Sequence, residues 1–137
     1  MNEDRRKELN QKVSIAIFRA ERLADSDALN AGPDGTDTRA AYAEVSRWEE
    51  ELAALHPADN LEGAIARLGA VTAALRARQG MRAQQLAGRY LADPALDEDD
   101  RGRIREALTR LGPCSIAEPT ALSRGRVFVR GSFQEAA

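Results

Sequence analysis

The stretch DTRAAYAEVSRWEEELAALHPADNLEGAIARLGAVTAAL, residues 37–75, decides the fold. Ala41, Val45, Trp48, Leu52 and Leu55 recur at steps of four, three, four and three, which is the apolar seam of a helix over about Asp37–Leu55. Two heptads are too few for a long coiled coil. The seam leaves Glu49, Glu50 and Glu51 on the outside, with Arg47 placed four residues before Glu51 for a surface ion pair. Pro57 closes this helix, and Asp59 with Glu62 has the spacing of a capping box that opens the next. Leu61, Ile65, Leu68, Val71 and Leu75 then predict the core face of a helix that Gly80 breaks.

Helix signals continue on both sides. Upstream, Leu9, Val13, Ala16, Ile17, Ala20 and Ala24 form one stripe on a helix over about Glu3–Asn30. Ile15 and Phe18 widen that stripe, as a helix with two neighbours requires. The segment Asn30-Ala31-Gly32-Pro33-Asp34-Gly35 stops it, with glycine expected in the left-handed cap. Downstream, Leu86, Tyr90 and Leu91 mark a short helix over about Arg82–Ala92, which Pro94 stops. Asp97 caps a fifth helix carrying Ile104, Ala107, Leu108 and Leu111, and Gly112-Pro113 is read as its stop. No internal repeat emerges, because the tetratricopeptide signature positions do not fall in register. The expectation is an all-α bundle of about five helices, built as helical hairpins over residues 1–112. Residues 113–137 form a non-helical C-terminal tail carrying one short strand.

Composition bounds the function. A chain of 137 residues fits one domain. No apolar run reaches membrane-spanning length, and no secretory h-region follows Met1, so a cytoplasmic location is expected. The single cysteine, Cys114, excludes an internal disulfide framework. A net charge of −2 gives no global drive toward nucleic acid or anionic lipid. Of the 20 basic residues, 18 are arginines, which suits flat, bidentate pairs with glutamates at packed helix faces; high G+C coding content accounts for the same bias.

Catalytic and metal signals are sparse. Nucleophilic chemistry needs a nucleophile beside a base. His56 is the only histidine, at a helix C-terminus where imidazole meets free carbonyls, and Cys114 follows a helix stop. A di-metal bundle needs Glu-x-x-His, and position 53 is Ala53. The acidic run Asp97-Glu98-Asp99-Asp100 lacks the spacing and glycine of an EF-hand loop and reads as a charged helix start. Phosphate-binding glycine loops are absent. No catalytic residue, metal site or cofactor is therefore assigned. A helical enzyme that grips an anionic substrate through arginines is the weakest of three functional readings.

Residues Leu75–Tyr90 raise a second reading. Gly80, Met81, Leu86 and Ala87 fall in register with the first half of a phage-repressor-type helix-turn-helix, which this segment resembles over about sixteen residues. The resemblance implies DNA binding. It ends at Leu91-Ala92-Asp93-Pro94: the acidic run Asp97–Asp100 stands where the family carries a polar or basic recognition helix, and carboxylates there repel phosphate.

The leading reading is protein–protein interaction, as an adaptor, assembly or accessory subunit of a bacterial-type complex. It rests on the tail. In Arg124-Gly125-Arg126-Val127-Phe128-Val129-Arg130-Gly131, Val127 and Val129 alternate with Arg126, Phe128 and Arg130. A lone strand in a helical chain can add to the edge of a partner's sheet, or to a second copy of this chain. Arg124, Arg126, Val127, Phe128, Val129, Arg130 and Phe133 are the candidate partner-binding residues. The alternative is a tail folded over its own bundle, with Phe128 and Phe133 as plugs.

Overall fold

A computed structural model describes residues 2–116. Among these residues there are five helices and no strand: α1 (Asn2–Leu29), α2 (Thr36–Ala54), α3 (Leu61–Arg76), α4 (Gly80–Leu91) and α5 (Glu98–Ile116). The expected strand at Arg124–Gly131 lies outside the described residues. The end of α5 corrects one expectation, because the helix runs through Gly112-Pro113 to Ile116. Proline's fixed φ is close to the helical value, so the turn can continue, although it removes one N–H and crowds the carbonyl four residues earlier. No helix among the described residues is long and apolar enough to cross a membrane.

The helices stack in chain order. α1 packs on α2, α2 on α3, and α3 on both α4 and α5, which also pack on each other. α3 therefore has three neighbours, and this explains its sequence. Its buried residues are Gly63, Ala64, Ala66, Ala70, Val71, Ala73, Ala74 and Leu75, which wrap most of its circumference. Small side chains allow helix axes to approach to the short end of the usual 8–10 Å. The expected leucine–isoleucine face is thus only half right: Val71 and Leu75 are buried, but Leu61 is 75% and Ile65 57% exposed. The core around α3 is completed by Leu86 and Tyr90 of α4, Leu96 of the α4–α5 turn and Ile104 of α5. Each fully buried Leu or Ile contributes roughly 1.5–3 kcal/mol.

The α1 stripe is buried as its spacing requires, with Leu9, Val13, Ala16 and Ala20 against α2. Among the described residues Ile15 and Phe18 find no second neighbour, since α2 is the only helix there that α1 packs on. The α2 seam is also observed, and Ala41, Val45 and Leu52 are buried. Two surface assignments on α2 are corrected. Glu49 is buried rather than outside. Arg47 stacks over Trp48, 5.5 Å from the ring centroid, while Glu51 pairs with Arg5 of α1 at 2.7 Å.

Helix ends show how local chemistry departs from simple punctuation. α1 and α3 both finish in Schellman motifs, with the sixth residue donating back to the first and the fifth to the second. In α1 these bonds are Gly32 N to Asp27 O and Ala31 N to Ala28 O; in α3 they are Gln79 N to Ala74 O and Arg78 N to Leu75 O. The left-handed residues are Ala31 (φ 57°), in place of the glycine expected at the end of α1, and Arg78 (φ 63°). Gly80 consequently begins α4 instead of breaking α3. At the α3 start the cap is Asn60, whose Oδ1 accepts from Glu62 N and Gly63 N, and not Asp59. Gly63 is required there by contact, since a methyl group would overlap the Pro57 carbonyl. Asp97 caps α5 as expected, accepting from Asp100 N at 3.0 Å. Gly35, which has no side chain to cap α2, donates its N–H to Asp27 Oδ2 at 2.8 Å, and Thr38 donates its hydroxyl to the same oxygen at 2.6 Å.

Candidate functional site

The seven tail residues assigned to partner binding, Arg124, Arg126, Val127, Phe128, Val129, Arg130 and Phe133, lie outside the described residues. His56 is placed in the α2–α3 turn and is buried. Its Nδ1 stands 3.5 Å from Glu62 Oε1, so it faces the start of α3 rather than the carbonyls ending α2. Its Nε2 has no hydrogen-bond partner among the described residues. Among these residues, no three metal-ligating side chains come together.

A polar seam joins α2, α3 and α4. Ser46 of α2 is fully buried and donates to Ala70 O of α3 at 2.8 Å. The same hydroxyl accepts from Arg82 Nε and Nη2 of α4 at 3.2 and 3.1 Å. Arg82 then reaches Glu50 Oε1 at 2.8 Å, and Arg89 takes the other oxygen, Oε2, at 2.8 Å. One carboxylate of α2 thus holds two guanidinium groups one helical stretch apart on α4. Partial burial works against ionised Glu50, but the two arginines outweigh it and hold its pKa below the ordinary value. Arginine suits this role because its planar fork makes two directed bonds at once. The arginine–glutamate network expected from composition is therefore present at a packed face.

The seam continues to Tyr90, whose ring carries Arg67 at 5.5 Å on one approach and Arg89 at 5.7 Å on another. Burial, and then the charge of Glu50, push the Tyr90 phenol above its ordinary pKa. The hydroxyl is buried and has no partner among the described residues. Arg67 donates through Nη1 to His56 O and Gly63 O at 3.1 and 3.0 Å, which ties the α2–α3 turn to α3. A cleft of about 240 Å³ opens here between Glu50 of α2, Arg67 of α3, and Arg89, Tyr90 and Asp93 on the α4 side.

Glu49 stands apart from this network. Its carboxyl lies flat on α3 at Gly69, where an added Cβ would come within 2.5 Å of Oε2. No ion pair to it exists among the described residues, and burial pushes its pKa to about 7. Three glutamates in a row gave the sequence no means of telling the buried one from its neighbours.

The outer face of α1 is the second candidate surface. Ile15 and Phe18 are 61% and 62% exposed, three residues apart on a side of the helix that no other helix covers among the described residues. Arg22 lies over the Phe18 ring at 5.7 Å. With Arg19, Leu23 and Asp37 at the start of α2, these residues border an open groove of about 450 Å³.

The helix-turn-helix segment Leu75–Tyr90 contains the tight turn of residues 77–79 between α3 and α4. Three of its four arginines pair within the fold, although Arg76 and Arg89 stay exposed, and Arg78 is exposed without an ion pair among the described residues. Arg76 stacks over Tyr42 at 4.3 Å and reaches Asp34 at 3.4 Å, while Arg82 and Arg89 share Glu50. The next helix, α5, opens with Glu98, Asp99 and Asp100. Compared with known proteins, the chain matches no protein-family model, no curated protein and no solved structure.

Proposed function

We propose that this chain is a non-catalytic protein-interaction module whose docking surface is the outer face of α1. One observation carries the reading: among the described residues α1 ends the helical stack with Ile15 and Phe18 more than half exposed, although Leu9, Val13, Ala16 and Ala20 of the same helix are buried on α2. Exposed apolar residues at i and i+3 beside a groove give a partner helix an apolar strip to pack on. Arg22 flanks the apolar pair, as does Arg19, which also reaches Glu44 of α2 at 3.6 Å. The occupant proposed is therefore a partner helix with an apolar face and acidic flanks. The tail segment Arg124–Gly131, with Phe133, extends the same reading on the strength of its alternating sequence alone, as a second point of attachment. Adaptor or assembly roles are the functions such a module serves.

The test compares proteins captured by the full chain, by Phe18→Glu and by a chain ending at Ile116, using quantitative mass spectrometry. The expected result is a partner retained by the full chain, lost with Phe18→Glu at unchanged helical circular dichroism, and contacting residue 18 through an acidic amphipathic helix on cross-linking. Identical retention by the full chain and Phe18→Glu refutes the α1 surface. Loss on truncation alone transfers the docking role to the tail.

A further inference from the structure

α1 carries unpaired charge as well as uncovered apolar surface, and the two are arranged about one centre. Its ion pairs engage Glu3, Arg5, Arg6, Glu8, Lys12 and Arg19. Lys7, Arg22 and Asp25 are exposed and stand outside these pairs among the described residues. Lys7 lies 11 residues before Phe18, and Asp25 lies 7 after it. These intervals are close to three and two full turns, so the three residues share one line of the helix, with Ile15 beside it. Lys7 precedes Ile15 by 8 residues and Asp25 follows Phe18 by 7, which is about 12 and about 10.5 Å along the axis. A cation and an anion thus bracket the exposed apolar pair at nearly equal distances.

Such a surface is complementary to itself when turned end for end. With Ile15 of one copy on Phe18 of another, Lys7 of each comes level with Asp25 of the other, and symmetry makes the pairing twice. The mismatch of about 1.5 Å, one residue's rise, is within the swing of a lysine side chain. Gln11 precedes Ile15 by four residues as Arg22 follows Phe18 by four, so Arg22 comes level with the Gln11 side chain, an acceptor. The groove beside Phe18 is bordered by Ile15 as well, so the Phe18 ring that lands on Ile15 enters it. Two copies running in the same direction put Lys7 on Lys7, Arg22 on Arg22 and Asp25 on Asp25. Like charges across an interface are costly and select the orientation. α1 also fits the occupant described above, a helix with an apolar face and acidic flanks, since Glu21 and Asp25 follow Phe18 and both are exposed.

We infer that the α1 docking face pairs with the α1 face of a second copy of this chain, antiparallel, in a two-fold dimer. This pairing rests on the α1 docking surface proposed above and names its occupant. A two-fold contact between identical patches closes on itself, so association stops at the dimer. One helix against one helix is a small interface, so the dimer is reversible.

The experiment is sedimentation of the full chain from micromolar to millimolar concentration. The expected result is a concentration-dependent monomer–dimer equilibrium with no larger species. Phe18→Glu should leave the chain monomeric at unchanged helical circular dichroism, because the side chain is exposed. Lys7→Glu makes both cross-pairs repulsive and should raise the dimer Kd by about tenfold, as should Asp25→Lys. An equimolar mixture of the Lys7→Glu and Asp25→Lys chains restores opposite charges at both contacts and should recover the native Kd as a heterodimer. A chain that stays monomeric throughout overturns the second-copy assignment alone; the α1 surface itself is then decided by Phe18→Glu in the capture experiment. A dimer that survives Phe18→Glu uses another surface and overturns the inference, as does a dimer indifferent to both Lys7→Glu and Asp25→Lys.

Discussion

Replacing Glu49 by glutamine isolates the energetic effect of one buried carboxyl. The side chain is 7% exposed, rests on the Gly69 backbone, and has a pKa of about 7 against 4.5 for the free group, with burial as the cause. A folded-state pKa raised above the unfolded value has a definite sign. The neutral acid is tolerated in the fold, so this site is most favourable below pH 4.5. Stability falls as pH rises from 4.5 toward 7, because the unfolded chain releases the proton first, and the loss is complete above about 7. At 1.36 kcal/mol per pH unit the full loss is about 3 kcal/mol. Glutamine keeps the shape and cannot ionise. Glu49→Gln should therefore match the native chain within about 0.5 kcal/mol near pH 4 and exceed it by about 3 kcal/mol at pH 8. Urea titrations followed by circular dichroism at pH 4, 6 and 8 give both curves. Their difference removes the other carboxylates, which titrate in both proteins. A difference that stays constant from pH 4 to pH 8, or that favours the native chain at pH 8, would show that Glu49 ionises without penalty and that its environment is misread.

Other substitutions test separate parts of the fold. Leu52→Ala should cost roughly 2–5 kcal/mol by denaturant titration, whereas Leu61→Ala should cost less than about 0.5, although periodicity placed both on core faces. Arg78→Gly should stabilise by about 0.5–1 kcal/mol, since relief of a left-handed non-glycine residue slightly exceeds the added freedom of the unfolded chain; a loss of stability would mean that Arg78 makes contacts that outweigh its backbone strain. Arg101 clamps the α4–α5 turn by donating to the carbonyls of Leu91, Asp93 and Leu96 at 2.5, 2.7 and 3.0 Å. Arg101→Ala should cost about 2 kcal/mol and speed amide exchange in residues 92–97, and unchanged exchange there would refute the clamp.

The candidate sites were less legible than the helices, for reasons visible in particular residues. Glu50 and Arg82 are 32 positions apart and meet only once their helices have packed. The sequence offered Glu50 as one of three equivalent outer glutamates, yet Glu49 turned inward, Glu50 took two arginines of α4, and Glu51 reached back to Arg5. Arg67 and Tyr90 drew no notice as a pair because nothing local links them. Ile15 and Phe18 were visible as a widening of the α1 stripe, but their exposure depends on how many helices reach α1.

Sequence alone determined the number of helices, their approximate limits, the seams of α1 and α2 and the cap at Asp97, because these follow from residue spacing within a few turns. Tertiary structure decided the rest. α3 acquired three neighbours, so its alanines rather than Leu61 and Ile65 became its core face. Hydrogen bonds of the Schellman turns held Ala31 and Arg78 in conformations their own side chains disfavour. Burial, which no single helix specifies, raised the pKa of Glu49 and left the Tyr90 hydroxyl and Arg67 Nε without partners among the described residues. Periodicity shows that a helix has an apolar side, while the side that is covered depends on helices far away in the chain.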